Sequence, residues 1–227
     1  NRMEGRRLER LAARINDLDP DLVAVTGDIF DFDPSVLERN ARILAGLRAR
    51  YGVFAVLGNH DTYTGAEKVA AALRDHAPAL RLLRGEVVRL PLSAPLYLAG
   101  IDDPGRDWTA RGVDLPDLQA LAERMPRDGP TVLLVHRPEA FPQAARLGFP
   151  LVLAGHTHGG QLALPSAGGR LNLALLVTRY HRGLFQENGS VLYVNRGAGV
   201  AGPPLRINCP REITTIELAG GAGQPSV

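Results

Sequence analysis

The chain has one cysteine, one lysine and no long apolar run, and each scarcity removes a class of explanation. Cys209 alone forms no internal disulfide, and a cysteine-based zinc site is excluded with it. Its expected role is a small packed side chain. Lys68 is the only lysine, so nearly all basic charge is arginine, interleaved with acids as in "MEGRRLERLAARIND". With no dense basic run and a formal charge of only +2, the sequence pI near 9.0 reads as a solvated charged surface, and no specific nucleic-acid partner is predicted. No apolar stretch reaches the roughly 18 residues of a membrane span, and no signal-peptide pattern is visible, so the chain as it stands reads as cytoplasmic. Repeats and linkers are absent too. A length of 227 residues, 45% of them hydrophobic, is enough for one core. We expect a single domain over residues 1–218 and a flexible tail, "AGGAGQPSV", over 219–227.

What is there alternates between two periodicities. Leu8, Leu11, Ala12, Ile15 and Leu18 recur at helical spacing over residues 3–18, stopped by Asp19-Pro20. Asp33-Pro34 offers a cap and first-turn proline for a helix ending near Gly52. Thr64 and Glu67 have capping-box spacing ahead of a third helix, and a fourth is expected near 115–125. Between them stand apolar runs that read as strands: "LVAVTGD", "VFAVLGNHD", "PLYLAGIDD", "TVLLVHR", "LVLAGHTH", "VLYVNRG" and "EITTIEL". Continuous apolar strands alternating with helices give an α/β protein whose strands are buried on both faces.

Four of these runs end in residues able to bind metal. "VAVTGD" ends in Asp28, "VFAVLGNHD" in Asn59, His60 and Asp61, "TVLLVH" in His136, and "LVLAGHTH" in His156 and His158. Taken singly, each is an ordinary turn or a structural histidine. Together they deliver ligands to one edge, where sites form beyond the carboxyl ends of strands. His156 and His158 lie where a strand gives way to glycines, so the backbone directs each imidazole separately. One histidine for each of two neighbouring ions is the economical use. Imidazole with carboxylate and amide oxygen suits Mn, Fe or Zn. Gly155, Gly159 and Gly160 would let a phosphate approach the backbone.

At these residues the sequence resembles the calcineurin-like metallophosphoesterase superfamily. The resemblance rests on "GDIFD", "GNHD", the strand-end His136 and "GHTH", in order across most of the chain. The extended "GHTHGGQ" and the later "YVNRGAGVAGPPLRINCPREITTIEL" look like a bacterial branch of membrane-associated or exported phosphodiesterases. The resemblance implies a four-layer αββα sandwich of two mixed sheets, with a dinuclear centre at one edge. It implies that Asp28 bridges two divalent ions, Mn foremost and Fe or Zn as alternatives. Asn59, His136 and His156 would complete the second ion's shell, and His158 would bind the first. His60 would act as general acid beside them, with Asp31 and Asp61 as supporting partners behind the ligands. Members of the superfamily open with a strand ending in Asp-x-His, and no such motif precedes "GDIFD" here. The first ion is then left with Asp28 and His158 alone, too few ligands for tight binding. We therefore expect a preceding segment to carry that strand, and membrane attachment or export if an anchor or signal stands before it. Asp33, Asp102 and Asp103 are the other nearby carboxylates, but they read as a cap and a turn.

The activity implied is two-metal hydrolysis of a phosphodiester, by a monomer acting on a small-molecule or lipid-linked substrate. The apolar, arginine-flanked "LNLALLVTRYHRGLF" supports the lipid-linked case, with His181 a candidate substrate contact. Two other readings stay open: a phosphate-binding or scaffold protein that has lost the first site, and a nuclease of the same superfamily.

Overall fold

Apolar runs too short for helices become strands here, and amphipathic helices return the chain between them. The computed structural model describes the chain apart from residues 1, 31–33, 106–114, 165–171, 177, 201, 203–204 and 220–227. In chain order the helices are α1 (Arg2–Asn16), α2 (Leu37–Leu44), α3 (Asn59–His76), α4 (Pro116–Glu123) and α5 (Phe141–Arg146). The strands are β1 (Val23–Val25), β2 (Val53–Ala55), β3 (Leu80–Leu82), β4 (Glu86–Arg89), β5 (Tyr97–Gly100), β6 (Thr131–Leu134), β7 (Leu151–Ala154), β8 (Gly183–Glu187) and β9 (Ser190–Val194). One sheet has three strands in the order β1-β2-β3, and the other has six in the order β4-β5-β6-β7-β9-β8.

The alternation of side chains along single strands fixes the layering. In β2 and just beyond it, Val53, Ala55 and Leu57 pack with Ala12, Leu37, Ala41, Val69 and Leu73 of α1, α2 and α3. Phe54 and Val56 point the other way and meet Leu98, Val132 and Leu134 of the larger sheet. That sheet's opposite face, with Leu133, Val152 and Leu192, is covered by Leu118, Leu121, Phe141 and Ala144 of α4 and α5. Four layers follow, helices, sheet, sheet, helices, held by burial that contributes about 1.5–3 kcal/mol per large apolar side chain.

Several expectations need correction. The smaller sheet is parallel throughout its described strands, and only the larger is mixed. "EITTIEL" forms no strand: its side chains reach Tyr193, Asn195 and Arg196, but no backbone ladder is present. The second helix ends at Leu44, not near Gly52, and its expected cap at Asp33 lies outside the described residues. The third begins at Asn59, ahead of Thr64, because the Asp61 carboxylate accepts the Gly58 N–H and caps the first turn, with a kink at Gly65 (φ 113). All of the expected tail except Ala219 falls outside the described residues.

Candidate metal centre

Two parallel strand pairs, β1 with β2 and β6 with β7, bring their carboxyl ends together from different sheets. Beyond β1 the chain turns through Gly27 (φ 94) and Asp28 (φ 51), and beyond β7 through His156 (φ 67) and His158 (φ 51). Left-handed backbone at three non-glycine residues costs on the order of 1–3 kcal/mol each and concentrates at functional sites. Gly27 must be glycine for a second reason, since a Cβ there would come within 2.6 Å of His136 Nδ1. Between His156 and His158, Thr157 has ordinary helical angles, flanked by left-handed backbone at both histidines.

Asp61 welds two of these turns together. Its buried carboxylate accepts N–H bonds from Ile29 (3.1 Å), Phe30 (2.8 Å) and Gly58 (2.8 Å), tying the Asp28 loop to the start of α3. Burial pushes its pKa up to about 6 against those three donors. The neighbouring His60 N–H donates to Asp28 Oδ1 at 3.0 Å, which plants the His60 ring in the first helical turn beside that carboxylate.

The centre itself is built around His136, which is 1% exposed. Its Nδ1 lies 2.7 Å from the Thr26 carbonyl, which only accepts, so Nδ1 carries the proton and Nε2 offers a lone pair. Around that lone pair stand Asn59 Oδ1 at 3.1 Å, His156 Nδ1 at 3.2 Å and Asp28 Oδ2 at 3.3 Å. The Asp28 and Asn59 oxygens accept only, and His156 Nδ1 joins them in the tautomer protonated at Nε2; lone pairs gathered this closely repel one another unless something positive lies among them. Either His136 takes a second proton or a cation fills the space. In the absence of an ion, burial works to lower the His136 pKa, but the Asp28 carboxylate prevails and raises it, while the same pairing holds Asp28 well below the usual carboxylate range against its own burial. Burial, with help from the neighbouring charge on His136, lowers His156 to about 3, so it is neutral and ready to ligate at pH 7. Asp28, His136 and His156 form the one group of three metal-capable side chains among the described residues. One carboxylate oxygen, one amide oxygen and two imidazoles fit a borderline divalent ion.

His158 stands apart from that trio. Its carbonyl accepts from Arg206 (3.3 Å) and from Cys209 Sγ (3.2 Å), and Arg206 Nη2 lies 3.4 Å from its Nδ1. Burial and the Arg206 charge lower its pKa to about 4. Gly159 and Gly160 are buried in the same turn, where both N–H groups are spent on Thr157 and a Cβ would strike Arg196 and Cys209, or Asn172. These glycines build the turn, and their amides are not offered to a phosphate. The His181 carbonyl accepts from Thr157 Oγ1 at 2.6 Å, while its ring lies edge-on to Phe185. Asp31 lies outside the described residues.

Sequence reading placed Asp103 in a turn and missed its pairing with Arg137. Asp103 is 4% exposed, takes Arg137 Nε at 2.6 Å and Nη2 at 3.2 Å, and its carbonyl holds Thr62 of α3. Asp102 pairs with Arg84 and accepts the Leu57 N–H. Both carboxylates are committed, so neither is free to ligate. The signal in sequence was Arg137 following a strand-end histidine, a charge that burial there obliges to find a partner.

Residues 5–160 match the model of a family described as calcineurin-like phosphoesterase. The chain is 34% identical to a metallophosphoesterase of Campylobacter jejuni over 94% of its own length and 54% of that protein. It is 33% identical to a zebrafish transmembrane protein with a metallophosphoesterase domain (93% of this chain, 49% of that one) and 32% identical to a metallophosphoesterase of Aquifex aeolicus (88% and 74%). It thus spans about half the length of the first two relatives. A crystal structure from Thermus thermophilus shares the fold at a TM-score of 0.53 and 16% identity, covering 83% of this chain and 82% of that one.

Proposed function

This chain belongs to the calcineurin-like phosphoesterase family, a family of metal-dependent phosphoric ester hydrolases, and we propose that within it the chain is a phosphodiesterase that works with two divalent ions, Mn foremost. The observation that carries the reading is the ring of acceptors about His136 Nε2, formed by Asp28, Asn59 and His156. These four residues would hold one ion, and Asp28 with His158 would contribute to the second. Ions held there supply Lewis acidity, neutralising phosphate charge and lowering the pKa of water.

The protein's own residues do the rest. Asp28, fixed by the His60 N–H, would supply a carboxylate to both ions. His60, at the first turn of α3, donates a proton to the leaving oxygen. Asp61 keeps His60 and Asp28 in register through its three backbone bonds. The backbone of His181 anchors the turn that carries His158 through Thr157, and from that position His181 would meet the substrate. A lipid-linked diester as substrate is supported by relatives named as transmembrane proteins, while no helix among the described residues is long and apolar enough to cross a membrane.

The test compares His60→Ala with His136→Ala, measuring metal content and turnover of a soluble chromogenic phosphodiester and monoester with added manganese. We expect both variants to lose activity, but only His136→Ala to lose metal. The chain should hold close to one equivalent tightly, because one ligand set is complete among the described residues, and should turn over slowly. Equal metal loss in both variants would remove His60 from its role, and tight metal binding with no turnover under any condition would favour a phosphate-binding module.

A further inference from the structure

The chain segment that closes the site on the His158 side has two unlike faces. Leu162 pairs with Ile207 in a parallel bridge, with Ala163 N–H donating to the Ile207 carbonyl and Ile207 N–H to that of Gln161. Along this short ribbon burial alternates. Ala163 and Arg206 turn inward, and Arg206 spends its guanidinium on the carbonyls of His158, Arg196 and Gly197. Leu162, Leu164, Leu205 and Ile207 turn outward and are exposed. Asn172 bridges Ala163 from the other side and leads into a 3-10 turn, Leu173–Leu176, that adds exposed Leu175 and Leu176. Leu164 is 56% and Leu176 76% exposed, although both belong to the residue type most often used to fill cores. A run of exposed aliphatic side chains on one short ribbon marks a surface that meets something apolar.

We propose that this ribbon docks the protein on an anionic lipid bilayer, with its leucines inserted among the acyl chains and the metal centre held at headgroup level. Charge selects the bilayer over other occupants. Between His156 and Glu212 the chain has six of its 26 basic residues and two of its 24 acidic ones, Glu187 and Glu212, which pair with Arg179 and Arg196, so this part carries a formal +4 within a chain whose total is +2. A second copy would bring the same positive charge against itself. The six outward side chains are all aliphatic, with no ring on which a nucleic-acid base would stack. Leucine and isoleucine without polar tips, set in an arginine-rich segment, suit an interface of acyl chains below anionic headgroups. Because the reverse face of the same ribbon holds the His158 turn, insertion of one face presents the other face's site to a phosphodiester in the membrane surface. Docking itself does not depend on catalysis; only the lipid diester as substrate rests on the function proposed above.

The experiment is co-sedimentation of the full chain with phosphatidylcholine vesicles, with and without about one-third phosphatidylglycerol. Wild type should pellet with the anionic vesicles, and much less with the neutral ones. The triple variant Leu164→Ser, Leu176→Ser, Leu205→Ser should bind them at least about tenfold more weakly. All three positions are exposed, so its thermal unfolding should match wild type. Leu18→Ser, at an equally exposed leucine following α1, should bind like wild type. Docking on this ribbon is overturned if wild type stays in the supernatant with every vesicle, if the triple variant pellets like wild type, or if Leu18→Ser weakens binding as much as the triple variant does. Turnover of a soluble chromogenic diester, measured in parallel, reports on the phosphoesterase reading alone: its absence with intact pelleting would leave docking standing.

Discussion

Replacing Asp103 with asparagine should cost the protein about 3 kcal/mol or more, although the substitution removes no volume. The Asp103 carboxylate and the Arg137 guanidinium are both almost sealed from water, with two nitrogen–oxygen contacts at 2.6 and 3.2 Å. Breaking a buried pair from one side takes away the partner that neutralises the other charge, at about 3–5 kcal/mol, against a total stability of about 5–15 kcal/mol. Asparagine keeps one oxygen for Arg137 or for the Gly105 N–H, which places the loss toward the lower bound. Arg137→Met should cost a similar amount by stranding Asp103. The double variant should lose at least about 2 kcal/mol less than the sum of the two, because both charges of the pair are then gone. Urea unfolding followed by circular dichroism measures all three, and an unchanged slope would show that only stability moved. Single losses below about 1 kcal/mol, or a double loss equal to the sum, would refute the argument.

Gly58→Ala should abolish metal binding and destabilise the fold by about 1–3 kcal/mol: its backbone (φ −92, ψ −179) suits alanine, but the new Cβ would run into Asp28 and come within 2.8 Å of His136 Cε1. Calorimetric titration with manganese checks it, and unimpaired binding would contradict the packing. The metal-free protein should lose stability as pH falls from 6.5 toward 4 and below. His156 and His158 are held neutral, at about 3 and about 4, so their contribution is complete above 6.5 and is lost as pH drops through those values. Asp61, raised to about 6, has the opposite sign and offsets part of this, since its contribution is lost as pH rises from 3.8 through 6. A urea midpoint that is flat from pH 7 to 4 would overturn these assignments. Arg206→Gln should weaken manganese binding less than His156→Ala does, because Arg206 braces the His158 turn and His156 faces the acceptor ring directly.

The centre was legible because its residues end apolar runs, and a run of "VAV" or "TVLL" fixes a strand whose carboxyl end must emerge near its parallel neighbours. Asp28, Asn59, His136 and His156 needed only that inference to be placed together. His158 separates from them through torsion angles at Thr157 that the letters "GHTHGG" do not encode. The Asp103–Arg137 pair and the Arg206 brace escaped because their partners lie 34 and 48 residues away in sequence, and side-chain bonding at that range follows from the fold. "GIDDP" was read as a turn for the same reason. "EITTIEL" failed in the other direction: its alternating pattern is that of a strand, but strand formation is a property of pairs, and its described neighbours offer side chains without a ladder. β3, β4 and β8 are three to five residues long, too short for periodicity to separate them from loops.

Among the described residues, β1 is hydrogen-bonded on one side only, to β2. Its outer flank is a row of backbone donors and acceptors three residues long, oriented so that it runs toward Thr26 and Asp28. Such a flank acts as a ruler for whatever extended chain is laid along it. A segment joining in parallel would be brought to the same finishing line, and the first residues past its end would emerge at the same sheet edge as Asp28. A three-residue edge therefore sets the register of whatever strand pairs with it, and so the level at which that strand's next side chain emerges.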